Sequence, residues 1–292
     1  MTLRLEGAMT ALVTPFRDDA VDIDALRKLV ESQIEAGIDA LVVCGTTGES
    51  PTLKAEEFDQ VIQSAVAQAK SRVPVVAGAG AASTAHAVEL SLKAKRAGAN
   101  ALLWVCPYYN KPTQTGLEMH FRTLAREVGL PAMLYNIPSR TGVDLQVSTL
   151  ARLSDVPEIV AVKESTGTVS RTQAIVHACG ERFALLSGED ALTLPIMAAG
   201  GKGVVSVSSN LRPKRVVNLV RACQANELVQ ARKLNQILMP LHQAMFLETN
   251  PIPVKAGMTL EQGHAPEIRL PLTWAQLDTQ NKLAQVLNEV PE

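Results

Sequence analysis

Eight short apolar runs recur along the chain, at 8–14, 40–44, 73–77, 101–106, 131–136, 159–163, 183–187 and 203–208. Most are continuous Val, Leu, Ile and Ala stretches without alternation, the pattern of strands covered on both faces in a parallel sheet. Amphipathic segments lie between them. In Asp22 to Ala36, Ile23, Leu26, Val30 and Ile34 share one helical face and Gly37 is the stop. Thr84 to Ala97 ends at Gly98, Gln114 to Val128 at Gly129, and Val169 to Cys179 at Gly180. Eight strand-then-helix units predict an α/β fold of the (β/α)8 barrel type, although a doubly wound sheet reads almost the same locally. Beyond about residue 225 the strand runs stop. Asn226 to Phe246 reads as helix, and a second helical stretch follows Trp274. The predicted organisation is a catalytic barrel over 1–224 and a C-terminal helical region over 225–292.

Composition narrows the function classes. A chain of 292 residues, 47% hydrophobic, can bury a large core, which excludes a disordered tail or a small stapled scaffold. Lys plus Arg number 28 against 29 Asp plus Glu, with no long run of one sign, so a small substrate is expected rather than a nucleic acid. Residues Met1 to Gly7 carry Arg4 and Glu6 and no signal-like apolar stretch, and nothing later approaches a membrane span, so the expected location is the cytoplasm. Cys44, Cys106, Cys179 and Cys223 contain no C-x-x-C pair and read as reduced, mostly buried thiols.

Barrel enzymes carry their chemistry on the loops after the C-terminal strand ends, because those residues converge on one mouth above a packed core. Here those ends are Thr14-Pro15, Gly45-Thr46-Thr47-Gly48-Glu49-Ser50, Pro107-Tyr108-Tyr109-Asn110, Tyr135-Asn136 with Pro138 to Gly142, Lys163-Glu164, Gly188-Glu189-Asp190 and Ser206 to Asn210. All three tyrosines fall among them in a chain that is only 3% aromatic, a concentration that core packing does not explain. Lys163 directly follows Ile159-Val160-Ala161-Val162, and no other lysine closes an apolar strand run. An ordinary lysine, with a pKa of about 10.4, is neutral at pH 7 in roughly one molecule in 2,500, so a nucleophilic lysine needs its charged form disfavoured. Desolvation at a strand end has that effect, and the free amine can then form an imine with a ketone. The plain alternative is a lysine that snorkels outward or pairs with Glu164.

Gly45-Thr46-Thr47-Gly48 offers hydroxyls and backbone N–H groups before a helix predicted to start near Ser50-Pro51, an arrangement suited to a carboxylate; as a bare capped turn it would be ordinary. Gly78-Ala79-Gly80 superficially resembles a dinucleotide fingerprint, but it lacks the third glycine and lies in the third unit. Arg140 can present a guanidinium fork to a second carboxylate or can be a solvated loop residue. Glu49, Glu164, Glu189 and Asp190 are conceivable metal ligands, but no strand end pairs a histidine with a carboxylate. His86, His120, His177, His242 and His264 fall on predicted helices or the tail, so no metal is expected.

Five motifs, Gly45 to Ser50, Pro107 to Asn110, Tyr135 to Gly142, Lys163-Glu164-Ser165-Thr166-Gly167 and Asn250-Pro251-Ile252-Pro253-Val254-Lys255, occur in order and together resemble the dihydrodipicolinate synthase family of pyruvate-dependent Schiff-base aldolases. The resemblance implies a lyase of diaminopimelate and lysine biosynthesis that condenses pyruvate with L-aspartate 4-semialdehyde and needs no cofactor. It implies Lys163 as the Schiff-base lysine and Tyr135 as the proton-shuttling phenol, with Thr46 linking Tyr135 to Tyr109 of a neighbouring subunit. Thr47 would hold the pyruvate carboxylate and Arg140 the semialdehyde carboxylate, with Gly188 and the Val205 carbonyl lining the site. A homotetramer built from tight dimers is the implied assembly.

One departure from the family concerns feedback. Where lysine-inhibited members carry polar or charged residues in an interface pocket, this chain has Ala55, Phe58, Ala82 and His86, while Glu49, Ser50 and Tyr108 are retained. Weak or absent inhibition by lysine is therefore expected. The nearest rival reading is a sister aldolase acting on a sugar acid, of the N-acetylneuraminate or keto-deoxy-gluconate type, for which Arg140 is not generally needed. A nucleotide-dependent dehydrogenase and a non-catalytic binding barrel are the rivals from other classes.

Overall fold

The computed structural model describes residues 3–292. Eight strands, β1 (Gly7–Ala11), β2 (Ala40–Val43), β3 (Val75–Gly78), β4 (Ala101–Val105), β5 (Ala132–Asn136), β6 (Ile159–Glu164), β7 (Ala184–Ser187) and β8 (Gly203–Ser206), coincide with the eight apolar runs. They close into a barrel of parallel neighbours in sequence order, β8 returning to β1, so the predicted (β/α)8 fold is the one adopted and the doubly wound sheet is excluded. Closure leaves the barrel no edge to protect.

Strand parity sorts the side chains. Met9, Val42, Val76, Leu103, Met133 and Val205 point inward and fill the barrel with small partners such as Ala40, Ala101 and Ala161. Leu41, Leu102, Trp104, Leu134, Val162 and Leu185 point outward and pack under the helices. Tyr135, two residues beyond Met133, and Lys163, two beyond Ala161, therefore belong to the inner set. Three of the helices between the strands begin where short polar side chains cap them: Asp22 accepts from the Ala25 N–H at 2.9 Å, Ser83 from the His86 N–H at 3.4 Å and Thr113 from the Gly116 N–H at 3.2 Å.

Three readings of the sequence need correction. No long helix follows the Gly45 turn directly: Ser50–Thr52 makes a single 3₁₀ turn, Leu53 and Lys54 run extended, and the helix begins at Ala55, where Glu57 accepts the Lys54 N–H. The C-terminal region holds three helices, Leu228–Ala244, Ile252–Gln262 and Leu277–Glu289; the middle one sits inside a Pro-rich motif that masks its periodicity. Cys44 and Cys106 are buried, but Cys179 and Cys223 are only half-buried, since they lie in the last turns of helices outside the barrel. A two-residue hairpin, Phe16–Arg17 with Ala20–Val21, was too short to announce itself. Among the described residues no helix is long and apolar enough to cross a membrane.

Gly78 and Gly80 have a steric reason for being glycine. A Cβ at Gly78 would stand 2.2 Å from the Cys44 carbonyl oxygen, and one at Gly80 2.6 Å from the Val105 nitrogen. Close approach of neighbouring barrel backbone accounts for both, without a nucleotide.

Candidate active site

Lys163 is one residue from the end of β6, on the inner face, and is 6% exposed. Its register partner is Tyr135 on β5, and the Lys163 Nζ lies over the Tyr135 ring, 4.3 Å from its centroid. An amine and a phenol are thus held together at the C-terminal mouth by the pairing of two adjacent strands.

Glu164 does not pair with Lys163. Parity turns it outward, where it is buried and takes hydrogen bonds from Asn136 Nδ2 at 3.1 Å, the Thr166 N–H at 2.9 Å and Arg171 Nε at 3.1 Å. Arg171 also reaches Asp144 at 3.2 Å and the Leu145 carbonyl. Asn136 follows Tyr135 as Glu164 follows Lys163, so this cluster clamps the strands immediately behind the two inward residues. Buried charge is tolerable there because it is paired and its oxygens are satisfied.

β7 closes the other side. The Gly188 N–H donates to the Glu164 carbonyl at 2.8 Å, which lays Gly188 against the β6 end. A Cβ on Gly188 would stand 3.0 Å from Lys163 Cε and 1.8 Å from Ser165 Oγ, so residue 188 must be glycine if the lysine stem keeps its place. Burial and the neighbouring Asp190 carboxylate raise the Glu189 pKa above its ordinary value, with Lys163 opposing them. Asp190 is buried; it accepts from Ser206 Oγ and the Val207 N–H, tying the β7 loop to the end of β8, where Val205 faces inward.

The Gly45-Thr46-Thr47-Gly48 turn after β2 is held from outside the barrel strands. Thr47 is buried, and its Oγ1 accepts from Asn250 Nδ2 at 3.0 Å; the Asn250 carbonyl in turn accepts from Arg140 Nη2 at 3.1 Å. One asparagine therefore spaces Thr47 from the exposed Arg140 guanidinium, and the sequence reading gave it no role although it opens one of the quoted motifs. Glu49, in left-handed backbone, turns away from the mouth into a buried ion pair with Lys255 at 2.5 Å and accepts the Arg269 N–H at 3.0 Å. Glu49 does not border the cavity that Ser50 and Tyr108 line, because the Lys255 ammonium draws it into the protein.

Thr46, Tyr135 and Tyr109 are not hydrogen-bonded to one another within the single chain. Tyr109 is 93% exposed on left-handed backbone after β4. Arg140, Thr46 and Tyr108 border a cavity of about 540 Å³ that continues to Ala55, Phe58 and His86. That cavity also takes in Glu89, a carboxylate the sequence reading did not count, which lies 3.5 Å from His86 Nδ1. Ala82 does not border it, and its carbonyl accepts from Asn110. Among the described residues no group of three His, Cys, Asp or Glu is placed to hold a metal ion.

Comparison with known proteins fits this geometry. The model of the dihydrodipicolinate synthetase family matches residues 4–290. The 4-hydroxy-tetrahydrodipicolinate synthase of Geobacter sp. (strain M21) is 50% identical over 284 residues, 97% of this chain and 98% of that one. The crystal structure of dihydrodipicolinate synthase from Aquifex aeolicus superimposes with a TM-score of 0.96 at 48% identity, covering 98% of each chain. A monomeric dihydrodipicolinate synthase variant also superimposes at 0.96, with 38% identity over 98% of this chain and 96% of its own. Likeness of sequence and fold along nearly the whole length, together with a buried lysine at the tip of the sixth barrel strand, leaves one conclusion: the chain belongs to the dihydrodipicolinate synthetase family.

Proposed function

We propose that the protein is a 4-hydroxy-tetrahydrodipicolinate synthase, a lyase that condenses pyruvate with L-aspartate 4-semialdehyde through an imine on Lys163. The observation that carries this reading is the buried Lys163 amine beside the Tyr135 phenol, with Thr47 and Arg140 spaced by Asn250 for two carboxylates. The Thr47 hydroxyl and the N–H groups of the Gly45 turn hold the pyruvate carboxylate. The uncharged Lys163 amine attacks the ketone carbon, and loss of water leaves the iminium. Removal of a methyl proton then gives an enamine, with the Tyr135 phenol moving the protons. The enamine carbon attacks the semialdehyde aldehyde, whose carboxylate Arg140 holds. The semialdehyde amine finally displaces Lys163 from the imine carbon, closing the ring and regenerating the lysine. The imine is itself the electron sink, so the scheme requires no cofactor.

In this reading residues 1–224 are the catalytic barrel, and 225–292 the helical region that supplies Asn250 and Lys255. The exposed Tyr109 completes a hydroxyl relay through Thr46 to Tyr135 in a neighbouring subunit of a homotetramer, and the enzyme works in the cytoplasm. Gly188 and the Val205 carbonyl line the pyruvate end.

Borohydride reduction in the presence of pyruvate should add one reduced pyruvate to Lys163, read by peptide mass. Lys163→Ala should abolish both the adduct and turnover with the semialdehyde. Tyr135→Phe should slow turnover steeply while still allowing some adduct. Ordinary activity in Lys163→Ala would end the mechanism, and turnover of sugar aldehydes in preference to the semialdehyde would end the substrate assignment.

A further inference from the structure

The mechanism above leaves one buried polar group beside the nucleophile unused. Ser165 lies two residues beyond Lys163. Its N–H donates to the Asn136 carbonyl at 2.9 Å, which continues the β5–β6 pairing past Glu164. The parity that turns Lys163 inward and Glu164 outward brings residue 165 back to the inner side. Ser165 is 6% exposed, and its hydroxyl has no hydrogen-bond partner. The Oγ and the Lys163 Cε crowd the same point above Gly188, at 1.8 and 3.0 Å from where a Cβ would stand. Buried hydroxyls are normally satisfied, because an unpaired one forfeits its hydrogen bonds to water without replacement. Unlike the other unpartnered buried hydroxyls among the described residues, those of Thr166, Thr172 and Thr259, that of Ser165 shares the space above Gly188 with the Lys163 stem, where it is free to meet a group on a bound substrate.

We infer that Ser165 is a catalytic residue whose hydroxyl hydrogen-bonds the oxygen on the keto carbon of pyruvate during imine formation. This rests on the pyruvate reading proposed above and deepens it. The carboxylate is already provided for by Thr47 and the Gly45 turn, whereas the keto oxygen has no donor assigned besides the Tyr135 phenol. As the lysine nitrogen bonds to that carbon, the C=O π pair moves onto oxygen, and transfer of the amine proton completes the carbinolamine. A proton delivered to that hydroxyl by the Tyr135 phenol lets it depart as water while the nitrogen lone pair forms the C=N bond, leaving an iminium beside the phenolate. The Ser165 O–H steadies the oxygen while negative charge gathers on it and keeps its own proton throughout.

Ser165→Ala removes one atom and should fold as the parent does, with an unchanged or slightly higher melting temperature because an unpaired hydroxyl has gone. Rapid-quench borohydride trapping should show the maximal rate of imine formation falling about tenfold, the worth of one hydrogen bond. The pyruvate concentration giving half that rate should stay unchanged. Ser165→Cys, a weaker donor, should fall between the two. A maximal trapping rate in Ser165→Ala equal to the parent's overturns the inference. So does a raised half-saturating concentration at unchanged maximal rate, which would put the hydroxyl on the carboxylate. Failure of the parent protein to trap pyruvate at all would overturn the pyruvate reading and this inference with it.

Discussion

Replacing Glu49 with glutamine should loosen the Gly45 turn, the proposed carboxylate site, and destabilise the whole fold, because Glu49 and Lys255 form a buried ion pair across 206 residues of sequence. Both side chains are at most 5% exposed, and the Lys255 ammonium lies 4.3 Å over the Phe16 ring, whose surroundings also include the Arg269 guanidinium at 4.2 Å. Burial pulls the Lys255 pKa below the ordinary lysine value, and the Glu49 carboxylate is the main influence opposing it. Without that carboxylate the ammonium has no anion in direct contact and must shed its proton or remain unpaired. Removing one partner of a buried pair costs about 3–5 kcal/mol. At about 2 °C per kcal/mol for a chain of this size, the melting temperature should fall by roughly 6–10 °C. Since Glu49 follows Thr46 and Thr47 in the same turn, the KM for pyruvate should rise while borohydride trapping at saturating pyruvate still proceeds. Lys255→Met, which keeps the stem over Phe16, should be comparably destabilising. The double variant should be more stable than the sum of the two single losses, because it strands neither charge. The assay is a thermal melt of the four proteins with KM measured on each. Strictly additive losses, or a Glu49→Gln variant melting within 1 °C of the parent with unchanged KM, would refute the reasoning.

Three further outcomes follow from the same geometry. Gly188→Ala forces a methyl within 1.8 Å of Ser165 Oγ and 3.0 Å of Lys163 Cε, so kcat should fall about a hundredfold through misplacement of the amine, with partial recovery when Ser165→Gly is added; unchanged kcat would count against the placement. Burial holds the His120 pKa at about 4 against an ordinary 6.5, so the unfolded chain binds the extra proton and stability is lost as pH falls from about 6.5 toward 4, by up to about 3 kcal/mol. His120→Gln should flatten that part of the melting-temperature profile, and an identical profile would refute the assignment. Lysine at millimolar concentration should leave the rate nearly unchanged, since Glu89, the carboxylate bordering the cavity, sits beside His86 and Lys93; a halved rate would refute this.

The barrel was legible because buried parallel strands need continuous apolar runs and helices between them need capped, glycine-stopped faces, both short-range patterns. Lys163 was legible for the same reason: it is a charge ending such a run, and strand parity alone turns it inward beside Tyr135. What escaped depends on contacts distant in sequence. Asn250 acquires its role only when a segment more than 100 residues beyond Arg140 folds back between Arg140 and Thr47, and no local pattern distinguishes it from a turn asparagine. Glu49 looked like a rim residue until Lys255, on a helix hidden by its prolines, claimed it. Glu164 was read as a possible partner for Lys163 because adjacency in sequence suggests contact, whereas in a strand adjacent side chains face opposite ways. The same rule that separates Glu164 from Lys163 brings Ser165 back to the lysine's side. The C-terminal region reaches the barrel mouth through these contacts: neighbouring strands supply the amine and the phenol, but the spacing of Thr47 and Arg140, the two groups proposed to bind carboxylates, is set by a side chain and a carbonyl from beyond the last strand.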